Sequence, residues 1–228
     1  MSKIGILCAS DTELNPFIEQ IQNLDVIEKA MLKFYVGTIK QIEVVAVYSG
    51  VCKVNASIAT QLLIDMFHVG MMINAGVAGG MDENVKLFDT VIAERTAYHD
   101  VEEDILTEFH PWLPSIYFQT DKKLLQVAQE YSIISRIPIL IGTIVTGEQF
   151  IEGQARDKIN QRFAPLAVDM ETASVAHVCY VNHIPFLAVR TITDTATHNG
   201  IENFEENCEK ASYIAKEIVI EMIERLPF

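Results

Sequence analysis

Short apolar runs alternate with polar clusters along the chain, and their spacing predicts its elements. Residues 3–9 form an apolar run that enters the polar cluster Ser10-Asp11-Thr12-Glu13 and then an amphipathic stretch over 14–24, which predicts strand, turn and helix. Residues 34–39 and 43–48 flank Lys40-Gln41-Ile42 and predict an antiparallel hairpin, so the sheet is expected to be mixed. Residues 54–67 read as a helix, 71–74 as a buried strand, and 90–94 and 137–145 as further strands. Phe204, Cys208, Ala211, Ala215, Ile218 and Met222 recur alternately four and three apart, the stripe of a long amphipathic helix packed on a sheet.

Two apolar runs end in acids. Ala167-Val168-Asp169-Met170-Glu171 closes on Glu171, and the run from Ile184 through Arg190 to Thr193 closes on Asp194. Such runs read as strands covered on both faces, and ligands in α/β sheets bind at the carboxyl ends of the strands. A buried acid there is costly unless it is used or paired; the alternative is that each acid caps the helix or turn that follows. The segment Ala75-Gly76-Val77-Ala78-Gly79-Gly80 offers bare backbone and N–H donors to a ligand, or else a tight structural turn. It lacks GxGxxG and GK[ST] spacing, so neither a dinucleotide cofactor nor ATP is supported. Phe150, past the strand over 137–145, reads either as a flat face for an aromatic base or as a core plug.

The 228 residues, half of them hydrophobic, suffice for one large core. The expected fold is α/β: a single three-layer αβα domain over 1–228, with a mixed twisted central sheet flanked by helices. Seventeen basic residues against 31 acidic ones give a formal charge of −14, which disfavours nucleic acid and anionic membrane as partners. Cys8, Cys52, Cys179 and Cys208 lie far apart with no zinc-ligand spacing, and read as small hydrophobes in a reducing compartment. The first apolar run is too short for a signal peptide and no run approaches a membrane span, so a cytoplasmic location is expected, with no metal and no cofactor.

With these pieces in order, the chain resembles the 5'-methylthioadenosine/S-adenosylhomocysteine nucleosidases of the purine nucleoside phosphorylase-like superfamily. The likeness rests on Lys3-Ile4-Gly5-Ile6 with Glu13, Ser49-Gly50-Val51-Cys52-Lys53-Val54, Asn74-Ala75-Gly76-Val77-Ala78-Gly79, Tyr98-His99-Asp100, Thr146-Gly147-Glu148-Gln149-Phe150, Val168-Asp169-Met170-Glu171 and Arg190-Thr191-Ile192-Thr193-Asp194. The resemblance implies hydrolysis of an N-glycosidic bond, freeing adenine from a 5'-thio-substituted ribose. Breaking C1'–N9 leaves positive charge on the sugar and negative charge on the purine, so a proton for N7 and a water for C1' are both needed.

By the resemblance, Asp194 protonates N7, which requires a pKa raised by burial. Glu13 activates the water with Arg190 helping to hold it, although Glu13 alone reads as a first-turn helix acid. Glu171 accepts the 2' and 3' hydroxyls. Met170 lies under the sugar, Phe150 stacks on adenine, Ile151 backbone reads the base edge, and Asp169 supports the site from behind. Val77, Val51, Ile105 and Phe204 are further substrate-binding positions. Val51 and Ile105 read either as core or as the interface of a homodimer whose subunits complete each other's 5' pockets. The acidic segment 102–112 and the segment 198–204 depart from the family pattern, which bears on tail specificity and closure.

Two rivals remain at this level: a phosphorylase of the same superfamily, and a nucleoside-binding protein without chemistry. A phosphate dianion calls for arginines. No arginine precedes Arg95, and Glu13 stands where a phosphorylase places one.

Overall fold

A computed structural model describes residues 3–198 and 201–226. The chain runs β1 (Lys3–Cys8), α1 (Asp11–Ile18), β2 (Gln22–Lys29), β3 (Leu32–Ile39), β4 (Ile42–Tyr48), α2 (Lys53–Phe67), β5 (Val69–Gly80) and β6 (Thr90–Tyr98). It continues α3 (Ile105–Glu108), β7 (Phe118–Gln119), α4 (Lys122–Ile134), β8 (Ile139–Thr146), α5 (Gly153–Phe163), β9 (Ala167–Asp169), α6 (Thr172–Val181), β10 (Phe186–Asp194) and α7 (Ile201–Ile223). The α/β expectation holds: a central mixed sheet lies between two helical layers.

Alternation along the inner strands builds the layers. On β1, Ile4, Ile6 and Cys8 face a core that includes Phe17 of α1, Leu124 of α4 and Ile218 of α7. Leu7, between them, faces the opposite core with Ala59 and Leu63 of α2 and Val175 of α6. The same division separates Val44 and Ala46 from Val45 and Val47 on β4. Both faces are covered, which is why these strands read as continuous apolar runs. β1 runs parallel to β4 and β5, and β5 parallel to β10, while β6 is antiparallel to β10 and parallel to β8.

The structure departs from the sequence expectations in three places. The first helix stops at Ile18, and residues 22–29 form β2 instead of continuing it. β2 is an edge strand exposed along its whole length, paired only with β3, so no buried face marks it in the sequence. The glycine segment 75–80 is not a turn but the second half of β5, which runs unbroken from Val69. Finally, β9 ends at Asp169, and Glu171 is the N-cap of α6 without a side-chain capping bond.

Phe34 is fully buried with its ring centroid 4.7 Å from that of Phe67, tying β3 to α2. Phe34→Ala is expected to cost about 3–5 kcal/mol in urea unfolding; a loss below about 1 kcal/mol would contradict this packing.

Candidate active site

Arg190 is fully buried on β10 and gathers the acids around it. Its Nε donates to Thr172 Oγ1 at 3.2 Å and lies 2.9 Å from Asp169 Oδ2 in an ion pair, and its Nη2 donates to Glu171 Oε2 at 3.3 Å. Nη1 lies 3.6 Å from Glu13 Oε1. Arg190 is level with Gly76 of the neighbouring β5, where an added Cβ would fall 2.2 Å from Glu13 Oε1 and 2.7 Å from Arg190 Nη1. Only a glycine leaves the volume this ion pair fills.

Glu13 combines both roles the sequence left open. It is the N3 residue of a capping box with Ser10 at the start of α1, and its carboxylate accepts from the N–H groups of Ala9 (2.5 Å), Ser10 (3.0 Å) and Val77 (2.8 Å). Burial raises its pKa, opposed by Arg190 and by those three amides. Glu171 Oε1 accepts from Cys52 N–H at 2.9 Å. Burial pushes its pKa up to about 7, with Arg190 lowering it and Asp169 and Glu13 raising it. Asp169 Oδ1 accepts from Thr146 Oγ1 at 2.6 Å and from the N–H of Thr172 at 3.1 Å, so Asp169 braces the turn between β9 and α6.

Asp194 occupies the other end. It pairs in register with Gly79, where an added Cβ would sit 3.1 Å from its Oδ2. Thr193 Oγ1 donates to Oδ1 at 2.9 Å, and Arg156 Nη2 lies 3.8 Å from Oδ2. Burial raises the Asp194 pKa, countered by the Thr193 hydroxyl and Arg156. Because β9 pairs antiparallel with Gly79 and Gly80, the chain beyond it turns back along β5, and Glu171 meets Arg190 at the level of Gly76. Asp194 and the Arg190 cluster are thus three residues apart along β5, about 10 Å at the strand rise.

Between them lies a cavity of about 230 Å³. Glu13, Asp169, Glu171 and Asp194 border it, as do Val77, Met170, Phe150, Ile151, Val51, Ile201 and Phe204. Among the described residues, no arginine or lysine lines it. Phe150 is partly exposed, and its ring stands edge-on to Phe204 at 6.1 Å, so it is not a core plug. Ile105 does not border the cavity. It is exposed on α3, and no residue of segment 102–112 lines the cavity. Val51 is also exposed, so neither belongs to the core. Asn199 and Gly200 of segment 198–204 lie outside the described residues.

Sequence reasoning missed Thr172, Asn74 and Arg156. Thr172 Oγ1 donates to Asn74 Oδ1 at 2.8 Å, and Asn74 Nδ2 donates to the carbonyl of Leu7 at 3.1 Å, which fixes β1, β5 and α6 together behind the acids. Asn74 ending an apolar strand was the available signal. Arg156, on a mostly polar helix, gave none.

The model of the phosphorylase superfamily matches residues 3–224. A 5'-methylthioadenosine/S-adenosylhomocysteine nucleosidase of Buchnera aphidicola is 33% identical over 232 residues, covering 98% of this chain and 97% of that protein. The chain belongs to this nucleosidase family. Among solved structures, the nucleosidase of Colwellia psychrerythraea in complex with adenine superposes with a TM-score of 0.90 at 32% identity, covering 99% of this chain and 96% of that one. The futalosine hydrolase of Helicobacter pylori also reaches 0.90, at 29% identity and with 99% and 98% coverage.

The raised Glu171 pKa makes stability depend on pH. A carboxyl whose folded pKa exceeds its unfolded one binds more protons folded than unfolded between the two values, so stability falls as pH rises from about 4.5 to about 7. The wild-type thermal midpoint is expected to drop between about pH 5 and about pH 8, and Glu171→Gln to flatten that drop. Parallel pH curves for the two proteins would rule out Glu171 as the titrating group.

Proposed function

We propose that this chain hydrolyses the N-glycosidic bond of 5'-thio-substituted adenosines, such as 5'-methylthioadenosine and S-adenosylhomocysteine, releasing adenine and the thioribose. The observation that carries this reading is the opposition of two differently built acid sites across one cavity. At one end Glu13 takes three amide donors and an arginine, which favour its anion. At the other Asp194 is buried with one hydroxyl donor and the more distant Arg156 guanidinium, and burial raises its pKa. Such different surroundings suit the first group to the base role and the second to the acid role.

In this mechanism adenine lies against Phe150, with Ile151 backbone at its edge and Asp194 at N7. The ribose rests on Met170, and Glu171 accepts its 2' and 3' hydroxyls. Asp194 gives its proton to N7 as C1'–N9 breaks, so the purine leaves neutral. Glu13 takes a proton from the water attacking C1', and the Arg190 charge keeps the Glu13 carboxylate ionised and oriented. Val77 contributes its N–H to holding Glu13 and its side chain to the wall. Phosphate is disfavoured as nucleophile, because four carboxylates border the cavity and Arg190 is already committed to three of them.

We further propose a cytoplasmic homodimer serving methionine salvage and purine nucleoside catabolism. All four cysteines are free, in keeping with a reducing compartment, and no helix among the described residues is long and apolar enough to cross a membrane. Val51, just before α2, and Val54 and Ile58 on it are exposed apolar residues, and the Lys53–Asp100 ion pair joins the first turn of α2 to the segment that leads to exposed Ile105, Phe109 and Trp112. An apolar surface of this kind suits a partner subunit, which would bring Ile105 to the neighbouring 5' pocket.

Incubation with 5'-methylthioadenosine or S-adenosylhomocysteine is expected to yield adenine and free thioribose without phosphate; strict phosphate dependence with a sugar 1-phosphate product would overturn the hydrolase. Asp194→Asn is expected to lower kcat by about 10²–10⁴-fold with an unchanged circular dichroism spectrum. Near-normal turnover would remove Asp194 from the mechanism.

A further inference from the structure

Arg156 is buried on α5, a helix whose other residues are mostly polar and exposed. Taking a guanidinium out of water costs several kcal/mol unless it is compensated. Its Nη1 donates to the carbonyl of Gly80, at the end of β5. Its Nη2 is buried without a hydrogen-bond partner among the described residues, and lies 3.8 Å from Asp194 Oδ2, just beyond hydrogen-bond length. A guanidinium with one arm anchored and the other idle beside a carboxyl is incompletely compensated in the resting enzyme.

We propose that Arg156 is a positioning residue whose charge is answered only when Asp194 gives its proton to the purine. This rests on the reading of Asp194 as the N7 donor. With Asp194 protonated, the pair carries one uncompensated positive charge. Once the proton moves to N7, the Asp194 carboxylate and the guanidinium neutralise each other, and the idle Nη2 gains its acceptor. The interaction is therefore stronger after proton transfer than before it, which is the condition for lowering the barrier rather than merely tightening binding. The anchor on Gly80 holds the guanidinium beside the same strand end against which Asp194 packs. The other charged group acting on Asp194 is Glu152 at the N-cap of α5, and Arg156 also feels Glu152 and Asp157.

The test compares 5'-methylthioadenosine with the 4-nitrophenyl glycoside of 5-methylthioribose, whose phenolate departs without a proton. Arg156→Gln is expected to lower kcat on the nucleoside by about 10²-fold, the scale of one lost electrostatic donor, with little change on the nitrophenyl glycoside. Arg156→Lys should recover part of the loss. Because Arg156 favours the Asp194 carboxylate, its removal should also move the alkaline limb of kcat/KM to higher pH while kcat falls. A purely structural role would depress both substrates equally and leave the limb in place, and that result overturns the proposal. The ratio of the two rates does not depend on how much variant folds; if Arg156→Gln yields no soluble protein, the same ratio for Arg156→Lys decides. A wild-type enzyme that turns over the nitrophenyl glycoside but releases no adenine refutes the functional reading and this proposal with it, whereas turnover of both with an unchanged variant ratio refutes only the role of Arg156.

Discussion

The site depends on one guanidinium facing three carboxylates. Glu13, Asp169 and Glu171 all lie within 4 Å of Arg190 and all are buried. Each such contact is worth about 4 kcal/mol at an effective dielectric near 20, and the mutual repulsion of the acids is of comparable size. Three ionised acids around one arginine would leave a buried charge of about −2, which a protein interior does not hold without heavy cost. A proton shared into the cluster relieves it: burial raises the pKa of Glu13 and pushes that of Glu171 up to about 7. The residue assigned to the ribose hydroxyls thus shares in setting the charge state of the cluster.

Much of the fold was legible because burial writes itself into sequence. β1, β4 and β10 are covered on both faces and appear as apolar runs, and the stripe of α7 appears at helical spacing. Among the elements that escaped, β2 and the end of β5 did so for clear physical reasons. β2 buries nothing, so Gln22-Asn23-Leu24-Asp25 carries no alternation, and its hairpin to β3 turns through Ala30 and Met31, both at positive φ without a glycine to announce it. The end of β5 looked like a turn because it is rich in glycine. Those glycines lie in a strand that gives up side-chain volume to Glu13, Arg190 and Asp194 from neighbouring elements.

The acids themselves were readable at strand ends, but their arrangement was not. Glu171 and Asp194 looked like two members of one sheet edge. The antiparallel pairing of the short β9 with the end of β5 sends Glu171 back toward Arg190, so the two acids face opposite ends of the cavity. A three-residue strand has too little sequence to declare its direction. Arg156 was invisible for a different reason: its neighbours on α5 are polar, and only the position of Gly80 and Asp194 in three dimensions singles it out.

The bare Cα of Gly76 has a consequence for how such a site can diversify. The space beside it is occupied by a charged pair, so no side chain can be added there without dislodging the pair. The cavity nearby is bordered by replaceable side chains, among them Val51, Ile201 and Phe204. Descent from a common ancestor can therefore rewrite those bordering side chains while the charged pair beside Gly76 stays fixed by geometry.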